Sequence, residues 1–387
     1  MPQADTNRVR LTILEEDTLG KLPDNPVGQV LRNTAPEFNY DKSTSDSDEI
    51  REDTRNAAVI ELGGSNAGTI NFELSMVTFN KILEGLFGSV FSTAIDLIDT
   101  VTVDLETSKY TAAGTPFVNA VVGQWLYFGV FVNAGNNGWK RIITKNVNNK
   151  EITVSSDSTL VDEADAANVT IKGQMLRDGT TVKSFGAERS YLDIGVHELI
   201  DSVRFNTMGL SAVAKQKVTG SFAFVGRGVA VGTVKTFDSY TAANTNPIVN
   251  ATHNLGSIMK DEAELSTAIQ SIGFEYSRNL DAKDATRNAT PISHRFGTQS
   301  GTGTIVAYFE DKDLYQVFLD HTEFSFSFAL QDADGKRLRI TMDSCYITGG
   351  GSPNVSGKNQ DAIQNLAYMS KYNALYDCQV QVDVINA

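Results

Sequence analysis

Short runs that alternate apolar and polar residues recur along most of this 387-residue chain, and that period of two is what most narrows its fold. Val101-Thr-Val-Asp-Leu105, Glu151-Ile-Thr-Val-Ser155, Val218 to Val225 and Gln379 to Ile385 each put every second side chain on one face. A half-buried antiparallel strand needs that spacing, and the runs are rich in Val, Ile, Thr, Phe and Tyr, which suit a pleated surface. Turn residues separate them. Asp332-Ala-Asp-Gly335, between Phe324–Leu330 and Arg337–Met342, predicts a hairpin. The expected class is mainly β, an antiparallel sandwich or barrel.

Two segments depart from the pattern. From Ser75, the apolar positions Phe79, Ile82, Leu83, Leu86 and Phe87 fall at helical spacing, with Ser75 as a candidate cap and Gly88 as the stop. From Asp311, Leu314, Tyr315, Phe318 and Leu319 do the same over a shorter length. Both stripes read as packing faces. Similar strands precede them: Gly68-Thr-Ile-Asn-Phe-Glu-Leu-Ser75 and Gly303-Thr-Ile-Val-Ala-Tyr-Phe-Glu310. Aligned without gaps, Gly68 meets Gly303, Ile70 meets Ile305, Phe79 meets Leu314 and Leu83 meets Phe318. This predicts an internal duplication. The alternative is two unrelated strand–helix units in one domain.

Residues 106–176 interrupt the first copy with short, evenly spaced strands and turns rich in Asn and Gly, as in Asn133-Ala-Gly-Asn-Asn-Gly-Trp139. A small inserted β-barrel or sandwich is expected there, on an exposed loop. The division is then residues 1–105 and 177–230 as one domain in two parts, 106–176 as the insertion, and 231–387 as the second copy.

Acidic residues number 47 against 33 basic ones, a formal net charge of −14, which argues against a nucleic-acid grip. Cys345 and Cys378 are too few for a disulfide framework and too far apart for a redox or metal pair. The opening MPQADTNRVR has no apolar core of a signal peptide, and no apolar run is long enough for a membrane span.

The stretch SDSDEIREDTRNAAVIELGGSNAGTINFELSMVTFNKILEGLFGS, residues 45–89, resembles the N-terminal signature of siphophage tail tube proteins. That signature is an acidic Ser-Asp/Asn-Glu-Ile-Arg-x-Asp-Arg motif before a Gly-rich turn, a strand and a helix. Asp48-Glu-Ile-Arg51, Asp53 and Arg55 occupy its positions; Thr54 stands where the family often has Arg. Lys183 to Arg189 with Asp193, Val203 to Ser211, Val218 to Gly226, Val306 to Asp311 and Phe326 to Asp332 resemble later strands of the family. The likeness runs over nearly the whole chain, insertion included.

The resemblance implies a structural virion protein with a tail-tube-type β fold, no catalytic residue and no cofactor. Its subunits would form rings whose inner strands join into one barrel, stacked into a conduit for double-stranded DNA. With two tube domains per chain, three chains complete a pseudo-sixfold ring; with one, six do. Expected companions are a tip complex, a tape measure and a terminator, with assembly in the host bacterial cytoplasm. The mixed-charge stretch Asp46, Asp48, Glu49, Arg51, Glu52, Asp53 and Arg55 is the candidate ring-to-ring contact. The N-terminal arm to about Tyr40 is expected to drape over a neighbour. A lumen that lets DNA slide should carry more carboxylates than bases.

Chemistry is sparse. His197, His253, His294 and His321 have no metal-ligand spacing. Gly349-Gly-Gly351 with Gly357-Lys358 misses the phosphate-loop spacing, and Asp332 to Gly335 lacks the later ligands of a calcium loop. The competing reading is a tail-tip or decoration β-sandwich that binds a host-surface glycan or receptor, with Trp125 and Trp139 as stacking platforms. A β-rich depolymerase would need a paired-carboxylate cleft.

Overall fold

The computed structural model describes residues 3–155, 159–355 and 357–386. The chain opens with β1 (Val9–Glu15), β2 (Val27–Val30), β3 (Ala35–Asp46), β4 (Val59–Glu73) and α1 (Asn80–Phe87). Next come β5 (Ile95–Asp104), β6 (Lys109–Ala112), β7 (Trp125–Gly129), β8 (Gly138–Lys145), β9 (Glu151–Val154) and β10 (Glu163–Arg177). The first half closes with β11 (Phe185–Tyr191), β12 (Val196–Val213), β13 (Thr219–Gly226) and β14 (Val229–Gly232). The second half holds β15 (Ser239–Thr241), β16 (Leu255–Lys260), β17 (Ala263–Glu264), β18 (Ile269–Ser277), β19 (Asp281–Lys283), β20 (Ser293–Arg295) and β21 (Ser300–Tyr308). It ends with α2 (Asp313–Leu319), β22 (Phe324–Gln331), β23 (Arg337–Gly349), β24 (Ile363–Ser370) and β25 (Gln381–Ile385). The fold is mainly β, as the alternation predicts. The hairpin across Asp332–Gly335 is present as β22 against β23, and β15 against β2 is a parallel pairing in otherwise antiparallel company.

The two halves repeat one order of pairing. In the first it runs β3–β4–β13–β12–β11–β1. In the second it runs β18–β21–β24–β23–β22–β16. Irregularities recur too. β12 slips register between Phe205 and Thr207 against β13, and β23 slips between Ile347 and Gly349 against β24. The partners of Phe185 and Ala187 slip in the same way as those of Phe324 and Phe326. α1 packs on β12 as α2 packs on β23. Gly68 lies opposite Phe224, and Gly303 opposite Tyr368; at either glycine an added Cβ would collide with that aromatic ring and a strand carbonyl. A missing side chain thus seats an aromatic at the same place in both halves.

β5 to β10 close on themselves in the order β5–β6–β9–β8–β7–β10 and back to β5. This barrel has its own core, with Tyr110, Phe117, Leu126, Phe128, Ile142 and Ile171 among its residues. Its first strand, Ile95–Asp104, lies ahead of the 106–176 segment. The larger core joins both halves, with Phe72, Leu86, Phe205 and Phe222 packed together with Phe274, Phe328, Ile340 and Tyr368.

β25 clamps barrel to body, pairing β10 on one side and β23 on the other. Buried charge marks the junction. Arg141 bonds Asp343 and, at 2.9 Å, Glu262. Asp383 accepts from Trp125 N at 3.2 Å and Gln381 Nε2 at 2.7 Å, and burial pushes its carboxyl up to about 7.

Three local expectations are corrected. The first helix starts at Asn80 rather than capping at Ser75: Val77 has a φ of 70°, and Ser75 Oγ bonds Thr78 Oγ1 at 2.6 Å instead of a free N–H. Gly88 does stop it, in left-handed backbone (φ 61°). The second helix begins at Asp313, not Asp311. The N-terminal arm does not lie free, because β1 pairs with β11 and β2 with β1 in the same chain.

Candidate assembly surface

The central sheet runs β3–β4–β13–β12–β18–β21–β24–β23, joined at its middle where β12 meets β18. One face is the core. Ile70, Phe72, Phe222, Phe224, Met208, Leu210, Phe274, Ile305 and Leu366 are buried there. The alternate residues lie on the other face, which is concave and holds a trough of about 840 Å³. Registers place Asn71, Ser221, Gly209, Glu275, Thr302 and Met369 in one row across it.

Hydroxyls, amides and carboxylates dominate this face. Glu37, Asp41, Glu73 and Glu275 are its acids, and none of them is buried. No exposed Lys or Arg of these strands shares it; Arg204 is covered, bonding the His294 carbonyl. Lys217, just ahead of β13, is ion-paired to Glu73. Such a surface is polar enough to be wet but offers phosphate no cluster of cations.

Both borders of the sheet are open. Among the described residues β3 pairs only with β4. β23 beyond Cys345 pairs only with β24. A long strand with a free edge is a template for another chain.

β3 and β4 also run past the core as a long hairpin. Asp46 ends β3, and Asp48, Glu49, Arg51, Glu52, Asp53 and Arg55 sit exposed in its loop. Arg51 grips Asp53 through Nε and Nη2, both at 2.9 Å, which holds the Asp53 carboxyl below the usual carboxylate range. Apolar side chains share the arm: Ile50 is 99% exposed, and Val59, Ile60 and Leu62 are open. The proposed contact residues are thus brought together on one arm.

Sequence reasoning missed a second arm. β18 and β21 extend through β19 and β20, and Asp281 pairs with Arg295 across them. The two arms touch where Gly64 N donates to the Ala289 carbonyl at 2.7 Å. This arm has no apolar run to flag it; its signals were the turn residues of Asn288-Ala-Thr-Pro291 and its place in the repeat.

The first helix stripe is buried, and the second only in part, with Leu319 56% exposed. Ile82, Leu83 and Leu86 are buried, with Phe79 just ahead of α1 also buried. Leu314 is buried and Phe318 half-buried against Gly351. Trp125 is 2% exposed and covered by Arg339, whose guanidinium carbon lies 4.3 Å from the ring centroid. Trp139 is half-buried with its ring edge-on to Tyr127. Trp125 therefore offers no open face to a sugar.

An open-bordered sheet with a polar concave face and apolar arms defines a structural protein built to join copies of itself. The family described as phage tail tube protein matches residues 6–370, and the chain belongs to that family. No curated protein matches the sequence. Membership places the protein in the virion tail, assembled into a tube with other tail proteins, and weighs against a catalytic role.

Proposed function

We propose that this chain is the major tail tube subunit of a long, flexible-tailed phage, stacking as rings that conduct double-stranded DNA from capsid to host. The observation that carries the reading is the eight-stranded central sheet, open at both borders, with a concave face at whose margins the exposed Lys217 and Lys371 are each ion-paired, to Glu73 and Glu323. Closing that sheet across copies removes the free edges and turns the concave face into a lumen.

Geometry favours three chains over six. At a strand spacing of about 4.8 Å, eight strands from each of three chains close to a cylinder about 37 Å across before tilt, and six chains to about 73 Å. Side chains roughly 5 Å deep on each wall leave the smaller ring room for a single duplex. The segments on either side of the β5–β10 barrel, from β1 to α1 and from β11 to β14, would act as one tube domain and β15 to β25 as the other, giving pseudo-sixfold symmetry. The β5–β10 barrel would sit outside, and the two arms would reach the next ring. The acidic lumen face would repel phosphate weakly, so that DNA passes without binding. Tip complex, tape measure and terminator are the partners such a tube requires, with assembly in the host cytoplasm. The glycan-binding reading loses its main support with Trp125 covered.

Sedimentation of the purified chain over a range of concentrations tests this. Rings or tubes should grow with concentration. A species that stays monomeric at every concentration and binds glycan would overturn it.

A further inference from the structure

One seam of the kind a ring requires already exists inside the chain. β12 of the first half meets β18 of the second over seven pairs, from Thr207 opposite Ser277 to Val213 opposite Ser271. The repeat assigns counterparts to both strands. Phe38 corresponds to Phe274, since they lie opposite Gly68 and Gly303. Thr207 corresponds to Gly349, since each follows the same register slip. Counting three residues on from each phenylalanine, Ser277 corresponds to Asp41. The strands that form the internal seam are therefore the counterparts of the two whose edges are open.

We infer that β23 of one copy takes β3 of the next in the register of the internal seam, setting Gly349 opposite the neighbouring copy's Asp41. This rests on the ring-forming function proposed above and adds which edges meet and how.

Backbone donors agree with it. Gly64 spends its N–H on Ala289 rather than on β3, so the odd-numbered residues of β3 bond β4 and the groups of Phe38, Tyr40 and Lys42 face the open border. At the end of the internal seam Arg278 N donates to the Asn206 carbonyl at 2.8 Å. The counterpart donor and acceptor are Lys42 N and the Thr348 carbonyl, both on the free edges.

The two seams are unequal. β12 continues as strand to Val213, whereas β23 stops at Gly349 and Gly350 turns away in left-handed backbone (φ 74°). The joint between copies is therefore shorter than the joint within the chain. Rings should come apart at that joint into intact chains before any chain opens along its own.

Paired cysteines test the register. Gly349 and Asp41 would form a non-hydrogen-bonded pair on the lumen face, the antiparallel geometry whose Cα separation of roughly 4.5 Å admits a disulfide. A Cβ at Gly349 has room, and the native Cys345 and Cys378 are buried. Thr207→Cys with Ser277→Cys is the internal control, crosslinking within one chain. Oxidised tubes of Asp41→Cys, Gly349→Cys protein should run as covalent multimers that stop at three chains. The pairs shifted by two residues, Gly349→Cys with Asn39→Cys or Ser43→Cys, should crosslink at least ten-fold less. Tubes that crosslink best in an off-register pair, or in none, overturn the inference and leave the tube function standing. Unaltered protein that never assembles overturns the function itself. Hydrogen exchange on unaltered tubes provides a readout free of substitutions. Peptides spanning residues 38–42 and 346–350 should gain protection relative to dissociated chains, and no gain there also overturns the register.

Discussion

Asp383 shows how one residue couples the barrel to the body. Its carboxyl is fully buried where β25 meets both, and burial raises it to about 7 from the roughly 3.9 of an unfolded chain. Between those values the folded chain keeps a proton that the unfolded chain has released, so this group's contribution to stability falls as pH rises through the window and is flat above it. Asp383→Asn should match the native protein's melting temperature near pH 4 and exceed it near pH 8. A constant difference across that range would contradict the assignment. The glycines under the aromatics are the other residue-scale test. In either half an added methyl at Gly68 or Gly303 meets a backbone carbonyl and a ring at once. Gly68→Ala and Gly303→Ala should each cost about 1–3 kcal/mol in urea unfolding, the range for overpacked cores. Near-neutral values for both would remove the close approach from the account.

At the scale of elements, alternation identified strands because it reports a face, and a face is a local property. The first helix stripe was legible for the same reason, with Leu86 buried, whereas the short second helix buries Leu314 and leaves Leu319 open. Pairing partners were not legible. β12 meets β18 and β25 meets β10 across long stretches of sequence, and no local signal encodes such register. The start of α1 was misplaced because Ser75 resembles a cap, while the left-handed turn at Val77 leaves no mark in the residue types. The acidic arm was visible through its charges, and the second arm, with Asp281 and Arg295, was missed because only turn residues and the repeat mark it. The open edge of β3 yields an element-scale prediction. Lys42→Pro removes a donor at a border position where proline is tolerated, and it gives up only an exposed ion pair with Glu61. The variant should melt like the native chain yet sediment as a monomer. A variant that assembles normally would show that this border is not used.

For the whole molecule, net charge and its placement separate two functions that the same acidic composition permits. The formal charge of −14 could serve solubility alone, but Glu37, Asp41, Glu73 and Glu275 lie on the one concave face. Glu73→Lys with Glu275→Lys should convert tubes that ignore double-stranded DNA into tubes that retain it at low salt and release it as salt rises. Equal retention by native and reversed tubes would mean that this face does not line the channel. The open borders make the most direct demand of all, since an unpaired eight-stranded sheet with a concave polar face makes sense only when neighbours complete it. A helical reconstruction of assembled tubes by electron cryo-microscopy decides it. The account predicts three chains per ring, a continuous inner barrel in which β23 of each copy adjoins β3 of the next, and a channel wide enough for one duplex. Particles in which those two strands stay unpaired, or lie on the outer wall, would contradict it.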